Sequence, residues 1–136
     1  MRRKYGNHKV ENAFGVFDST LEWDRFLFLQ NRQKEGEISD LKRQVEFLLL
    51  PSQYRKDIKH LKTKDKEYDR LVERACTYKA DFTYIRDGRL VVEDCKGSRE
   101  IITEASKLKK KLLLYIHNIE LKYIYVATFW EKSEKK

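Results

Sequence analysis

The stretch ADFTYIRDGRLVVEDCKG, residues 80–97, constrains this chain most. Asp87-Gly88 lies between two runs of β-branched and aromatic residues, and that dipeptide is a strong signal for a two-residue β-hairpin. A turn of this length predicts a register. Arg86 pairs with Arg89, and pairing outward sets Asp81 opposite Asp94. Directly opposed residues share a face, with Cβ atoms about 4.5–5.5 Å apart. Lys96, two residues beyond Asp94, falls on the same face. Opposed carboxylates destabilise a hairpin unless something offsets their charge. A divalent cation is one solution, since Mg²⁺ commonly takes one or two carboxylates together with waters and phosphate oxygens. A solvated polar face carrying lysines is the other. A bulge in either strand would shift the register and put Glu93 in the place of Asp94.

A length of 136 residues is that of one domain with room for a core. The formal net charge of +8 makes a polyanion the natural partner. Acidic residues number 22 against 30 basic ones, and aromatics reach 12%, which is the composition of a folded basic protein rather than of a basic tail. Cys76 and Cys95 lack metal-type spacing and suit a reducing compartment without a disulfide. No apolar run approaches the ~18 residues of a membrane span. The start, MRRKYGNHKVENAF, has no apolar core of a secretory signal.

Residues 1–17 read as a basic, aromatic arm in which Arg2, Arg3, Lys4, His8 and Lys9 are candidate phosphate contacts. Asp18–Lys34 reads as a helix stopped at Gly36. Its apolar side is Leu21, Phe26, Leu27 and Leu29, widened by Trp23 and Phe28, with Arg25 outside. Ser19 and Glu22 fit a capping box. Leu41–Leu50 reads as a buried strand ended, or placed at an edge, by Pro51. Gln53–Glu73 is nearly all polar, with six basic and two acidic residues between Gln53 and Lys66. It fits a helix with Ile58, Leu61 and Leu71 inward, or an excursion between strands, and is a candidate phosphate-contact segment. Ala75–Ile85 and Leu90–Lys96 are the hairpin arms. Thr103–Asn118 reads as a helix with Leu108, Leu112, Tyr115 and Ile116 at helical spacing and lysines over the remaining surface. Leu121–Phe129 reads as a strand, and the crossover makes it parallel to the strand carrying Lys96. The tail 131–136 is expected to be disordered.

The order helix, three strands, helix, strand, with a helix glutamate, then x-Asp-x, then (Asp/Glu)-x-Lys, resembles the PD-(D/E)xK nuclease superfamily. The chain is similar in particular to small phage-encoded nucleases of that type, akin to Holliday-junction resolvases. The residues carrying the resemblance are KYGNHKVE (4–11), FDSTLEWDRF (17–26), GEISDLKRQVEFLL (36–49), YKADFTYIRDGRLVVEDCKG (78–97) and the lysine-rich helix that follows. The position before Asp81 is Ala80 rather than the proline of the motif's name.

The resemblance implies an α/β (α+β) fold: a restriction endonuclease-like αβββαβ core, a mixed sheet flanked by helices. It spans residues 18–130 as one domain with a basic insert at 53–73. It implies Asp81 and Asp94 as metal ligands, joined by Glu22 and the backbone carbonyl of Cys95. Lys96 would orient the attacking water or stabilise developing negative charge. The cofactor would be Mg²⁺ or Mn²⁺, and the reaction hydrolysis of phosphodiester bonds in branched DNA. The expected DNA contacts are Arg2, Arg3, Lys4 and Lys9 in the arm, Lys56, Lys59 and Lys62 in the insert, and Lys107, Lys110 and Lys111 on the second helix. Paired nicks on a four-way junction imply a homodimer, for which Tyr5, Phe14 and Trp130 are candidate interface residues, acting in the cytoplasm (of a host cell, if phage-encoded). Two other readings are open: a less structure-selective nickase or end nuclease with the same site, and a DNA-binding module without catalysis.

Overall fold

The hairpin around Asp87-Gly88 forms the centre of the sheet. The computed structural model describes residues 9–97 and 102–125. In chain order the elements are β1 (Val10–Asn12), β2 (Gly15–Phe17), α1 (Thr20–Lys34), β3 (Ser39–Leu50), β4 (Gln53–His60), β5 (Asp65–Glu73), β6 (Cys76–Arg86), β7 (Arg89–Cys95), α2 (Glu104–His117) and β8 (Leu121–Ile124). The main sheet runs β3-β6-β7-β8, with β7 and β8 parallel and the other pairs antiparallel. Asp87 and Gly88 both have positive φ, 50° and 75°, as a type I′ turn requires. Pairing runs from Arg86↔Arg89 to Phe82↔Glu93 in the expected register. The mixed αβββαβ core is present, with two hairpins added: β1–β2 ahead of α1, and β4–β5 between β3 and β6.

Local chemistry sets the helix ends. The Ser19 side chain accepts from the Glu22 N–H at 3.1 Å and opens α1. At the other end, Gly36 N–H donates to the Gln33 carbonyl and Glu37 N–H to the Arg32 carbonyl, the paired bonds of a Schellman stop. Gly36 sits at φ +81°. Gly36→Ala is expected to cost about 1–2 kcal/mol, the penalty of a left-handed L-residue. Urea unfolding would show a lower midpoint at unchanged slope. In α2, Thr103 caps the start and Asn118, at φ +57°, ends it.

Each face of the sheet carries one core. Phe17, Phe26, Leu29, Ile38, Phe82, Tyr84 and Val91 pack on the α1 side. Leu49, Tyr78, Ala80, Val92, Leu113 and Leu121 pack on the α2 side. Arg43 fastens the β1–β2 hairpin onto the first core. Its guanidinium lies 3.6 Å from the Phe17 ring centroid and donates to the Val16 carbonyl at 2.6 Å. Gly15, at φ +120°, leaves room for it, since a Cβ there would meet Arg43 Nη1 at 3.0 Å.

Four expectations are corrected. Arg25 is not outside α1 but 0% exposed. It donates to Glu93 through Nε at 2.8 Å and Nη2 at 2.6 Å, and Tyr84 also donates to Glu93. A bidentate partner and an aromatic roof, Phe28 at 4.9 Å, make a buried guanidinium tolerable where helical periodicity alone points outward. Burial pulls the Arg25 pKa down, but the Glu93 hydrogen bonds and charge raise it on balance. Secondly, residues 53–73 are not a helix but the β4–β5 ribbon, an excursion between β3 and β6. Alternating polar side chains can pair across two strands without any core. Thirdly, α2 buries Leu113 and leaves Leu108, Ile116 and Tyr115 (88% exposed) in solvent, because the sheet meets a neighbouring stripe of the helix. Fourthly, β3 is not buried along its length: it takes the edge position that Pro51 allowed, with Leu48 and Leu50 exposed. Of the arm, residues 10–17 form β1 and β2. Arg2, Arg3, Lys4, Tyr5, His8, residues 126–129, Trp130 and the tail 131–136 lie outside the described residues.

Candidate functional site

Glu93 and Asp94 face opposite sides of the sheet. Glu93 points into the α1-side core against Arg25 and Tyr84. Asp94 turns the other way, where Lys96 Nζ meets its Oδ2 at 3.1 Å. Lys96 is held from below by its backbone N–H, which donates to the Ile124 carbonyl at 2.8 Å.

Asp81 lies just past the last β6–β7 pair, Phe82↔Glu93. There the Cys95 N–H donates to the Asp81 side chain, Oδ2 at 2.8 Å. A carboxylate thus takes a main-chain donor at the point where the ladder opens. Two strands change facing at this same place. On β6, Phe82 and Tyr84 pack on the α1 side but Tyr78 and Ala80 on the α2 side, so simple alternation inverts once, at Asp81. On β3, Arg43 packs on Phe17 while Phe47 joins the α2-side core. The residue between, Gln44, has φ +53° and is missing from the ladder, as is its opposite number Asp81. The inversion gives Asp81 neighbours from both faces of the sheet.

From the α1 side comes Glu22. Gln44 Nε2 donates to Glu22 Oε1 at 2.8 Å and to Asp81 Oδ1 at 3.4 Å, bridging the two acids. Glu22 also accepts from the Asp18 N–H at 3.1 Å and lies 3.6 Å from Arg43 Nη2. The capping role of Ser19 is real, but the Glu22 carboxylate is turned to Asp18, Gln44 and Arg43. Burial raises the Glu22 pKa, as does the Asp18 charge, against the lowering Asp18 N–H and Arg43. From the α2 side comes Asp94, whose carboxylate acts on Asp81. The Asp81 carboxyl is pushed up to about 9, first by burial, then by Asp94 and by the Glu22 charge. Tyr78 stays a protonated phenol because burial and the neighbouring Asp94 raise it.

The donor set therefore holds three hard-oxygen side chains, Asp81, Asp94 and Glu22, arranged as an adjacent pair and a third acid reached through Gln44. Among the described residues, no three His, Cys, Asp or Glu side chains are drawn together as a ready-made metal-binding group. The fit to Mg²⁺ or Mn²⁺ rests on the Asp81–Asp94 pair, whose mutual repulsion a divalent ion would relieve. For Cys95 it is the N–H that meets Asp81. Both cysteines are free thiols.

The cationic candidates divide. Lys110 Nζ lies 4.9 Å from the Tyr123 ring centroid, and Lys96 Nζ lies 5.9 Å from the same ring. Lys107, Lys110 and Lys111 line one cleft with Leu114, Ile119 and Tyr123, about 740 Å³ in volume. Lys56 is paired to Asp69 at 2.8 Å, on the ribbon face away from Lys59. Lys62 lies in the ribbon turn and Lys9 just ahead of β1. Sequence reasoning missed Gln44 and Arg43, since neither residue type announces a left-handed strand position or an anchor across two hairpins. Among the described residues, no helix is long and apolar enough to cross a membrane.

A family model described as a protein of unknown function (DUF1064) matches residues 2–134. No curated protein and no solved structure matches the chain.

Proposed function

Since the chain belongs to that family of unknown function, we propose from its site that it is a Mg²⁺- or Mn²⁺-dependent DNA endonuclease of the PD-(D/E)xK type, cutting phosphodiester bonds in branched DNA as Holliday-junction resolvases do. The observation that carries this reading is the meeting of Asp81, Asp94, Glu22 and Lys96 where the β6–β7 ladder opens. Asp81 and Asp94 would hold the metal, with Glu22 at its margin. Bound there, a divalent ion neutralises the scissile phosphate and lowers the pKa of a water. Lys96 brings a positive charge beside Asp94, where it can hold that water or meet charge developing on the phosphate. Gln44 and Arg43 keep Glu22 aimed at the site. The cleft lysines of α2 supply phosphate contacts that position without reading sequence. The enzyme would work as a homodimer in the cytoplasm, a reducing setting that its free thiols suit.

The test is cleavage of a labelled four-way junction beside a matched linear duplex, with Mg²⁺, Mn²⁺ or EDTA. Paired nicks on the junction alone, abolished by EDTA, are expected. Equal cutting of both substrates would retain the metal site and discard junction selectivity. Tight binding of the junction with no cutting under any metal would replace the enzyme by a binding module.

A further inference from the structure

The β4–β5 ribbon is an isolated two-stranded sheet whose residues are almost all exposed. Such a ribbon has little stability of its own in water. Its two faces differ in character. One carries Tyr54 opposite Leu71, then Ile58, with the Lys56–Asp69 ion pair and the His60–Asp65 hydrogen bond, both at 2.8 Å. On the other, Arg55 stands directly opposite Arg70 and Lys59 directly opposite Lys66. Between these pairs lie Asp57 and Tyr68. Asp57 accepts from Arg70 Nε at 2.9 Å, and Lys59 Nζ lies 5.7 Å from the Tyr68 ring centroid. The four cations of that face thus enclose one carboxylate, Asp57. Like charges directly opposed across a ladder destabilise it, and between the two pairs the fold sets a single carboxylate. Lys62 and Lys64 extend the positive end at the turn.

We propose that this face of the ribbon, Arg55, Lys59, Lys66 and Arg70, docks on the phosphate walls of a duplex DNA groove. The two cation pairs are four residues apart along the strands, about 13 Å. That is close to the ~12 Å width of a major groove, which admits a two-stranded ribbon. One pair then meets each wall, and the phosphates supply the missing counter-charge. Tyr68, lying between the pairs, faces the groove floor. The proposal rests on the cleavage reading for the identity of the polyanion, but not for its test.

The test measures binding of the full chain to a labelled duplex and to its single strand, in EDTA, across a salt series. Replacing Arg55, Lys59, Lys66 and Arg70 together by Gln is expected to lower the slope of log K against log salt by about 3–4, with circular dichroism unchanged. Arg55→Lys with Arg70→Lys is expected to keep the slope, because point charges suffice for phosphates. An unchanged slope in the Gln variant would overturn the proposal. So would an equal loss in the Lys variant, single-strand binding as tight as duplex binding, or preferential binding to phosphatidylserine vesicles. Duplex binding lost in the Gln variant, from a wild type that never cuts a junction with Mg²⁺, would uphold the ribbon and refute the nuclease. Metal-dependent cutting with an unaltered slope would do the reverse.

Discussion

Replacing Glu93 by alanine is expected to cost about 3–5 kcal/mol, because it takes the bidentate carboxylate away from the buried Arg25 guanidinium. A domain of this size has roughly 5–15 kcal/mol in hand, so the loss approaches global unfolding. The charge cannot escape by deprotonation, since arginine keeps its proton at any ordinary pH. Tyr84 loses its hydrogen bond to Glu93 in the same step. Tyr84→Phe alone removes one donor and leaves the ion pair, so its cost should be nearer 1 kcal/mol. Replacing the charged pair together, Arg25→Met with Glu93→Leu, should recover most of the stability lost by Glu93→Ala, as apolar replacements of buried ion pairs do elsewhere. Urea unfolding of the four proteins checks this. A Glu93→Ala protein as stable as the wild type would show that the pair is not the keystone of the α1-side core.

The opposite pattern is expected at Asp81. Asp81→Asn should lower metal-dependent cleavage by more than about 100-fold, since even partners one shell out from a metal typically cost about 10- to 100-fold. Stability should move the other way. The folded protein holds the Asp81 proton up to about pH 9, while the unfolded chain releases it near the ordinary 3.8. Between those values the folded state binds more protons than the unfolded one, so stability falls as pH rises from about 4 to about 9. Asparagine removes that fall. At pH 8 the variant should be the more stable protein, by about 2 kcal/mol or more. Saturating Mg²⁺ or Mn²⁺ should reverse the order, because a ligand at a hundred times its Kd stabilises by about 2.7 kcal/mol and the variant has lost the site. Thermal unfolding with and without metal reads this independently of cleavage. A wild type whose melting temperature ignores both ions would remove Asp81 and Asp94 from any metal role.

Read together, these two variants separate neighbours that the sequence leaves interchangeable. Glu93 and Asp94 are adjacent carboxylates on one strand, and strand alternation sends them to opposite faces. Glu93 holds the core and Asp94 lies at the site. The Asp87-Gly88 turn decides which is which, because a two-residue turn with both φ values positive admits one register. The hairpin and its turn register were legible from residues alone, as were the capping role of Ser19, the Gly36 stop, the crossover and the parallel last strand.

What was not legible depends on distant partners. Arg25 reads as a surface residue until a carboxylate 68 positions later closes on it. The stripe that α2 buries is set by where the sheet lies, so Leu113 is inside and Leu108 outside. Residues 53–73 lack apolar alternation because their ribbon packs on no core, and a sequence read through burial has no signal there. Gln44 is the sharpest case. Nothing in a glutamine announces φ +53°, yet that one conformation accompanies the change of facing in β3 and carries an amide between Glu22 and Asp81. The sequence by itself determined the hairpin, its register and which strands carry Asp81, Asp94 and Lys96, because turn chemistry and strand alternation act over a few residues. Only the tertiary structure decided how Glu22 joins them and which face of the insert is cationic, because both depend on strands brought together from far apart in the chain.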